Sequence, residues 1–168
     1  MAKNVEQTLI LFKPDALQRA LVGEILSRFE RVGLRIVATK MLSPERGHYD
    51  KHYEEIGKLK TRAGEKIFGI TLEMMEKGPV IAMVLEGIEA ASLVRKLVGA
   101  TEPKSAAPGT IRGDYSHMSY GYADGEGKGI PNLIHASGDA AEAKQEIALW
   151  FNDEELYDYE AIHEKFTR

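Results

Sequence analysis

Apolar residues recur along this chain in two rhythms, and the change from one to the other marks its elements. Residues 7–13 (Gln-Thr-Leu-Ile-Leu-Phe-Lys) form a short apolar run rich in strand formers, stopped by Pro14. Leu21, Ile25, Phe29 and Val32 then recur at helical spacing before Gly33, which predicts a helix with a glycine stop. A second strand is predicted over 34–42. Helices are predicted over 44–56 and 65–77, joined by the polar stretch 57–64. Residues 79–86 are the most continuously apolar run, which places this strand centrally in a sheet. A helix over 88–98 follows, with Ala91, Val94, Leu97 and Val98 on one face. The last pair is a strand over 132–135 and a helix over 139–151, where Asp139 and Glu142 make a capping-box-like start.

Strand-helix-strand, an inserted helical pair, then strand-helix-strand is the order of the ferredoxin-like split β-α-β arrangement. The predicted fold is therefore α+β, a four-stranded antiparallel sheet with surrounding helices. Residues 1–168 read as a single domain with two excursions, at about 57–66 and at 116–131. The second is glycine-rich and carries His117, Tyr120 and Tyr122.

Composition narrows the class. With 168 residues, 43% of them hydrophobic and 29% charged, the chain can bury a real core. The net charge of −4 argues against a nucleic-acid binder, which needs a concentrated basic surface, so an anionic ligand must be met by locally placed cations. No apolar stretch approaches the roughly 20 residues of a membrane span, and the N-terminus lacks a signal-type apolar region. The absence of cysteine excludes disulfides, thiol catalysis and cysteine-based zinc sites, and suits a reducing compartment. A cytoplasmic location is the expectation.

Against this background His135 stands out, at the exit of a predicted strand and before the small-residue turn Ala-Ser-Gly. A lone histidine in a strand is more often a satisfied structural side chain than a nucleophile. Glu146 changes the weighting, because it falls within the buried stripe of Ala143, Ile147, Trp150 and Phe151. An inward carboxylate needs a partner, which is either a salt-bridging helix residue or the imidazole of His135, whose tautomer it would fix. Lys13 is either a solvated strand end or a phosphate ligand at a sheet edge. Arg112, between Pro-Gly-Thr-Ile and Gly-Asp, suits bidentate binding of phosphate oxygens. Arg95 and Thr101 could add a cation and a hydroxyl.

Other motifs fail. Residues 125–129 (Gly-Glu-Gly-Lys-Gly) lack the hydroxyl of a P-loop and read as a flexible loop. His48 and His52, at i and i+4, lack the intervening glutamate of a zincin and a third ligand nearby, and read as solvated side chains with weak adventitious metal binding at most. There is no Gly-x-Ser-x-Gly elbow.

Six motifs in order, Leu-Phe-Lys13-Pro-Asp-Ala, Gly23-Glu-Ile-x-x-Arg28-Phe, Gly78-Pro-Val, Gly99-Ala-Thr101-Glu-Pro103, Pro108-Gly-Thr-Ile-Arg112-Gly-Asp and Asn132-Leu-Ile-His135-Ala-Ser137, resemble the nucleoside diphosphate kinases across nearly the whole chain. The resemblance implies transfer of the γ-phosphate of a nucleoside triphosphate to a nucleoside diphosphate by a ping-pong route, through a phosphohistidine on His135. It further implies that Lys13, Tyr53, Arg95, Thr101, Arg112 and Asn132 bind phosphates and sugar, and that Glu146 and Ser137 support the imidazole. Mg²⁺ is expected to arrive on the nucleotide phosphates rather than in a protein cluster, base selectivity is expected to be weak, and a homotetramer or homohexamer is the expected assembly. The chain departs from the family pattern between Tyr53 and Gly78, where the usual Phe-Phe pair becomes Ile67-Phe68, so the base-stacking residue is either Phe68 or Ile67. It departs again at the longer 116–131 segment. The alternative from another class is a catalytically silent nucleotide-binding or regulatory module of the same fold, which would be expected to lack His135 or Glu146.

Overall fold

The computed structural model of the protein describes residues 4–167. Strands β1 (Val5–Phe12), β2 (Arg35–Leu42), β3 (Val80–Ile88) and β4 (Ile134–Ala136) form one sheet in the order β2-β3-β1-β4, with every pairing antiparallel. Helices α1 (Pro14–Gln18) and α2 (Val22–Arg31) connect β1 to β2. Between β2 and β3 come α3 (Arg46–Asp50), a π-helical turn (Lys51–Ile56), α4 (Leu59–Ala63) and α5 (Glu65–Met75). Helices α6 (Ala90–Val98), α7 (Ile111–Tyr115) and α8 (Tyr120–Gly125) separate β3 from β4, and α9 (Ala140–Trp150) and α10 (Glu164–Thr167) follow. This is the ferredoxin-like α+β fold that the element order predicts.

The sheet is covered on both faces, which explains why β1 and β3 read as nearly unbroken apolar runs. Successive strand residues point to opposite sides. Leu9 and Leu11 join a core with Tyr49, Phe68, Leu72 and Trp150, whereas Ile10 and Phe12 join a second core with Ile25, Phe29 and Val94. Ile25 and Phe29 of α2 are fully buried, and each contributes about 1.5–3 kcal/mol by leaving water. Helix α2 stops where the sequence pattern predicts. Gly33 takes φ +87, and a Cβ there would stand 2.6 Å from the Thr167 side chain.

Several local expectations need correction. The 57–64 stretch is not a plain loop, since α4 forms within it. Glu54 accepts hydrogen bonds from the backbone N–H groups of Lys60 and Thr61 and from the Thr61 hydroxyl, a cap supplied from outside the helix. The 116–131 segment contains α8, whose N-cap Ser119 accepts from the Tyr122 N–H at 3.2 Å. Ile88 ends β3 instead of opening α6, because Glu89 turns the chain at φ +47. The predicted 44–56 helix begins at Arg46 and widens to a π turn from Lys51. The fourth strand begins two residues later than predicted, because Leu133 takes φ +72. Among the described residues, no helix is long and apolar enough to cross a membrane.

Candidate active site

The site grows from the adjacent ends of β1 and β4. The Lys13 N–H donates to the Leu133 carbonyl at 2.9 Å, and the Leu133 N–H donates to Asp15 Oδ2 at 3.0 Å. These bonds hold Leu133 in a left-handed conformation that non-glycine residues seldom adopt. The kink delivers Asn132 and His135 to the same cleft. Asn132 Oδ1 accepts from Lys13 Nζ at 2.7 Å, and its Nδ2 donates to the Thr101 carbonyl at 2.8 Å, so one buried amide ties the β1 exit to the loop after α6.

His135 pairs with Leu11 in register, and so lies on the sheet face covered by α9 and the π turn. Its Nε2 lies 2.7 Å from Glu146 Oε1, while Glu146 Oε2 accepts from the Ser137 hydroxyl at 2.6 Å. A carboxylate only accepts, so the ring proton sits on Nε2 and Nδ1 carries the lone pair. Nδ1 has no hydrogen-bond partner among the described residues, and the imidazole is 17% exposed, whereas Glu146 is 1% exposed. Ser137 is fully buried and locked to β1, its hydroxyl oxygen accepting from the Leu9 N–H at 3.1 Å.

His52 extends this network. Trp150 Nε1–H donates to His52 Nδ1 at 3.2 Å. Indole is a donor only, so His52 is neutral with its proton on Nε2. Its Nδ1 also lies 3.5 Å from Glu146 Oε1, which is a contact between two acceptors and not an ion pair. The His52 and His135 rings meet edge to face at 4.5 Å. Burial, and then the neighbouring His135, keep the His52 imidazole well below its ordinary pKa. The solvated reading of His48 and His52 is therefore corrected: His52 is 1% exposed, and His48 packs its ring on Trp150 at 4.4 Å. The π turn is the physical reason, since it rotates His52 and Tyr53 together into the core. Two signals pointed there, the placement of His52 beside Tyr53 and its position between the apolar neighbours Tyr49 and Ile56.

The cations converge from three segments. Arg112 is 5% exposed, and three of its five N–H groups are spent on the carbonyls of Asn132, Gly99 and Ile134, which leaves two for a ligand. Its loop is pinned by Arg28, which pairs with Asp114 at 2.7 Å and donates to the Gly109 carbonyl at 3.2 Å. Arg95, exposed on α6, reaches the Ala136 carbonyl at 3.5 Å, and Thr101 is exposed in the loop after α6. Burial, and then Arg112, pull the Lys13 ammonium down to about 8. Burial, and then Lys13, Arg112 and Arg95, hold His135 far below its ordinary value and so neutral, while burial pushes the Glu146 carboxyl up.

The remaining predicted residues divide. Tyr53 is buried at the site, 6.3 Å from the His135 ring between centroids, and its hydroxyl has no hydrogen-bond partner. Phe68 is 5% exposed in the core with Leu72 and Met75, so the expected base-stacking face is covered. Positions 68, 72 and 75 follow the i, i+4, i+7 stripe of α5, and that stripe turns inward. The only group of three metal-type side chains among the described residues is His52, His135 and Glu146, with ligand atoms within 4.8 Å of one another.

A ferredoxin-like sheet with a carboxylate-paired histidine at its edge strand and the buried cations Lys13 and Arg112 at the adjacent strand ends is an arrangement suited to a phosphotransferase. The family profile described as nucleoside diphosphate kinase matches residues 6–156, and the chain belongs to that family. It is 44% identical over 155 residues to the nucleoside diphosphate kinase of Borreliella burgdorferi, covering 92% of each chain. It is 47% identical to that of Pyrococcus furiosus, covering 93% of this chain and 89% of the relative. Among solved structures, the transition state mimic of nucleoside-diphosphate kinase from Borrelia burgdorferi, with bound vanadate and ADP, superposes with a TM-score of 0.92 at 43% identity, over 96% of this chain and 95% of that one. The NDP kinase of Pyrobaculum aerophilum superposes with a TM-score of 0.82 at 40% identity, over 92% and 100%. The silent-module alternative is not favoured, since His135 and Glu146 are both present and in contact.

Proposed function

We propose that the protein transfers the γ-phosphate of a nucleoside triphosphate to a nucleoside diphosphate through His135. The observation that carries this is the 2.7 Å contact of His135 Nε2 with buried Glu146, which leaves Nδ1 free at the cleft. In the first half-reaction the Nδ1 lone pair attacks the γ-phosphorus, the bond to the β-phosphate oxygen breaks, and the diphosphate leaves with that electron pair. In the second, a terminal phosphate oxygen of the acceptor attacks the phosphorus and the electron pair returns to Nδ1. No proton moves in either step, because the attacking phosphate oxygen is already anionic and the ring proton stays on Nε2, donated to Glu146. Chemistry therefore reduces to positioning and charge neutralisation.

Lys13 and the two free N–H groups of Arg112 take the phosphate oxygens, with Arg95 at the mouth. Asn132 holds Lys13 in place, and Thr101 adds a hydroxyl toward the nucleotide. The buried Tyr53 hydroxyl, without a partner in the free protein, suits a phosphate oxygen. Glu146 stabilises the positive charge that develops on the ring, and Ser137 fixes Glu146.

The substrate is the Mg²⁺ complex of the nucleotide. Mg²⁺ favours oxygen ligands in octahedral array, and the one histidine-rich trio is committed to hydrogen bonds, so the residues present fit a cation delivered on the phosphates rather than a protein cage. The protein works as a homotetramer or homohexamer in the cytoplasm, a stoichiometry that light scattering reads directly.

Incubation with γ-labelled ATP and Mg²⁺ is expected to give an acid-labile, alkali-stable label that ADP or GDP removes, and His135→Ala is expected to take none. Absence of label in the wild type, or label persisting in the variant, would sink the reading.

A further inference from the structure

The motif Gly23-Glu-Ile-x-x-Arg28-Phe lies on α2, outside the cleft, yet both of its charged side chains hold the segment that carries Arg112. Glu24 and Arg28 are four residues apart and so share one face of the helix. Arg28 Nη1 pairs with Asp114 Oδ2 at 2.7 Å and donates to the Gly109 carbonyl at 3.2 Å, while its Nη2 donates to the Tyr115 hydroxyl at 2.8 Å. The guanidinium carbon also stands 4.6 Å from the centre of the Tyr115 ring. The Tyr115 hydroxyl donates in turn to Glu24 Oε1 at 2.7 Å, and Arg19, just after α1, donates to the Tyr115 carbonyl at 2.7 Å. Among the described residues, every hydrogen-bond and ion-pair partner of the Arg28 side chain falls within 109–115.

What these contacts hold is α7, which at five residues is too short to persist without tertiary support. Gly109 turns the chain at φ +89, and its N–H donates to Asp114 Oδ1 at 2.8 Å. Asp114 thus closes the 109–114 turn with one oxygen and joins it to α2 with the other. Thr110 caps the helix by accepting from the Gly113 N–H at 3.1 Å, and the coil is so tight that a Cβ on Gly113 would stand 2.1 Å from the Ala107 carbonyl oxygen. Arg112 has two anchors in consequence. Its guanidinium is tied to the Asn132, Gly99 and Ile134 carbonyls, and its backbone is tied to α2 through its neighbours in α7.

We infer that Arg28 is a positioning residue for phosphoryl transfer: through Asp114, Gly109 and Tyr115 it sets the place from which Arg112 presents its two free N–H groups to the phosphate chain. The inference rests on the kinase reading and deepens it. Arg28 touches no substrate, and its charge is spent on Asp114. Its whole effect therefore passes through Arg112. The planar fork is what the role needs, since it meets three acceptors and stacks on a ring at once, which a lysine ammonium cannot do.

The test is a double-mutant cycle of Arg28→Met and Arg112→Lys. It reads phosphohistidine formation in single turnovers over a range of Mg²⁺-ATP concentrations, as the limiting rate divided by the half-saturating concentration, per folded molecule from urea unfolding of each variant. Misplacing a catalytic cation by about 1 Å costs up to about a hundredfold, so Arg28→Met is expected to lower this ratio by about tenfold or more. The milder Arg28→Lys, which keeps the charge, is expected to lower it by at least about threefold. In protein that already carries Arg112→Lys, Arg28→Met is expected to lower the ratio by less than about twofold, because the group it positions is gone. General loss of stability gives no such cancellation. Arg31→Met removes an exposed charge from the same helix and is expected to match wild type. Arg28→Met within twofold of wild type, losses that multiply in the double variant, or an equal loss from Arg31→Met overturns the positioning role alone. A wild type that takes no label at His135 overturns the kinase reading together with it.

Discussion

Replacing Glu146 by Gln separates two things that the carboxylate does, fixing a tautomer and answering a charge. Its oxygens accept from His135 Nε2–H and from the Ser137 hydroxyl, and an amide offers one acceptor and one donor. The side chain can turn its oxygen to His135 and its NH₂ to Ser137, because the Ser137 hydroxyl can then donate to the Leu9 carbonyl, 3.3 Å away. Geometry and tautomer survive while the negative charge is lost. Full ring charge and carboxylate about 4 Å apart attract by about 4 kcal/mol at an effective dielectric of about 20; with the charge about half formed in the transition state, about 2 kcal/mol and roughly thirtyfold in rate are lost.

Stability should move the other way. Burial raises the Glu146 carboxyl above its unfolded value of 4.5, so the ionised form is disfavoured by folding. The penalty is absent below pH 4.5, builds as pH rises through the folded-state value, and is constant above it. At pH 7 the Gln variant is therefore expected to melt no lower than wild type. Rapid-quench measurement of the limiting rate of labelling, beside thermal unfolding at pH 7, checks both halves. A limiting rate within threefold of wild type would refute the charge argument. A melting point lower by more than about 6 °C, equivalent to about 2 kcal/mol for a chain of this size, would show that the network is structural.

Other buried charges carry three further predictions. With Lys13 lowered to about 8 from 10.5, labelling at subsaturating ATP is expected to fall as pH rises through about 8, and saturating ATP is expected to move this limb upward because bound phosphate favours the ammonium. The same shift makes the buried ammonium costly below pH 8, and stability is regained between pH 8 and 10.5; the stability advantage of Lys13→Met should therefore shrink across that window, and a urea midpoint difference that is flat from pH 7.5 to 10 would contradict it. Far from the cleft, Arg35 pairs with Glu86 at 2.7 Å with both side chains nearly buried, so Arg35→Met removes the cation beside a buried carboxylate that also accepts from Gln7 Nε2 at 3.1 Å, and is expected to cost up to about 3–5 kcal/mol in chemical denaturation. Labelling per folded molecule should stay within twofold; a slower limiting rate would mean that the far end of the sheet acts on the site.

Local rules made the frame legible. Period-3.6 spacing located α2, and unbroken apolar runs located β1 and β3, because each element's pattern is set by the core it faces. Glu146 was legible for the same reason, as a carboxylate in an apolar stripe. What escaped depends on partners distant in sequence. Leu133 is held out of the strand by Asp15, 118 positions away, and no property of Leu133 announces that. The His52 tautomer is set by Trp150, 98 positions away, in a helix that widens to a π turn there. Phe68 sits where alignment with the family puts an aromatic, but its own helix turns it inward.

Four features of the site share a thermodynamic sign. Leu133 at φ +72 carries strain of the order of 1–3 kcal/mol. Lys13 keeps an ammonium in a buried setting, Glu146 keeps a carboxylate there, and the Tyr53 hydroxyl is buried without a partner. Each lowers the stability of the free protein, and all lie within one cleft at the ends of β1 and β4, while the sheet behind them is sealed on both faces. A core that needed only to be stable would replace every one of them with apolar side chains. In the proposed complex, phosphate in the cleft would reverse the sign for Lys13 and Tyr53 by supplying an anion to the one and an acceptor to the other. Two of these four destabilising features are thus ones whose interactions a bound nucleotide would complete, which is the arrangement expected where binding energy is directed at the reacting phosphate.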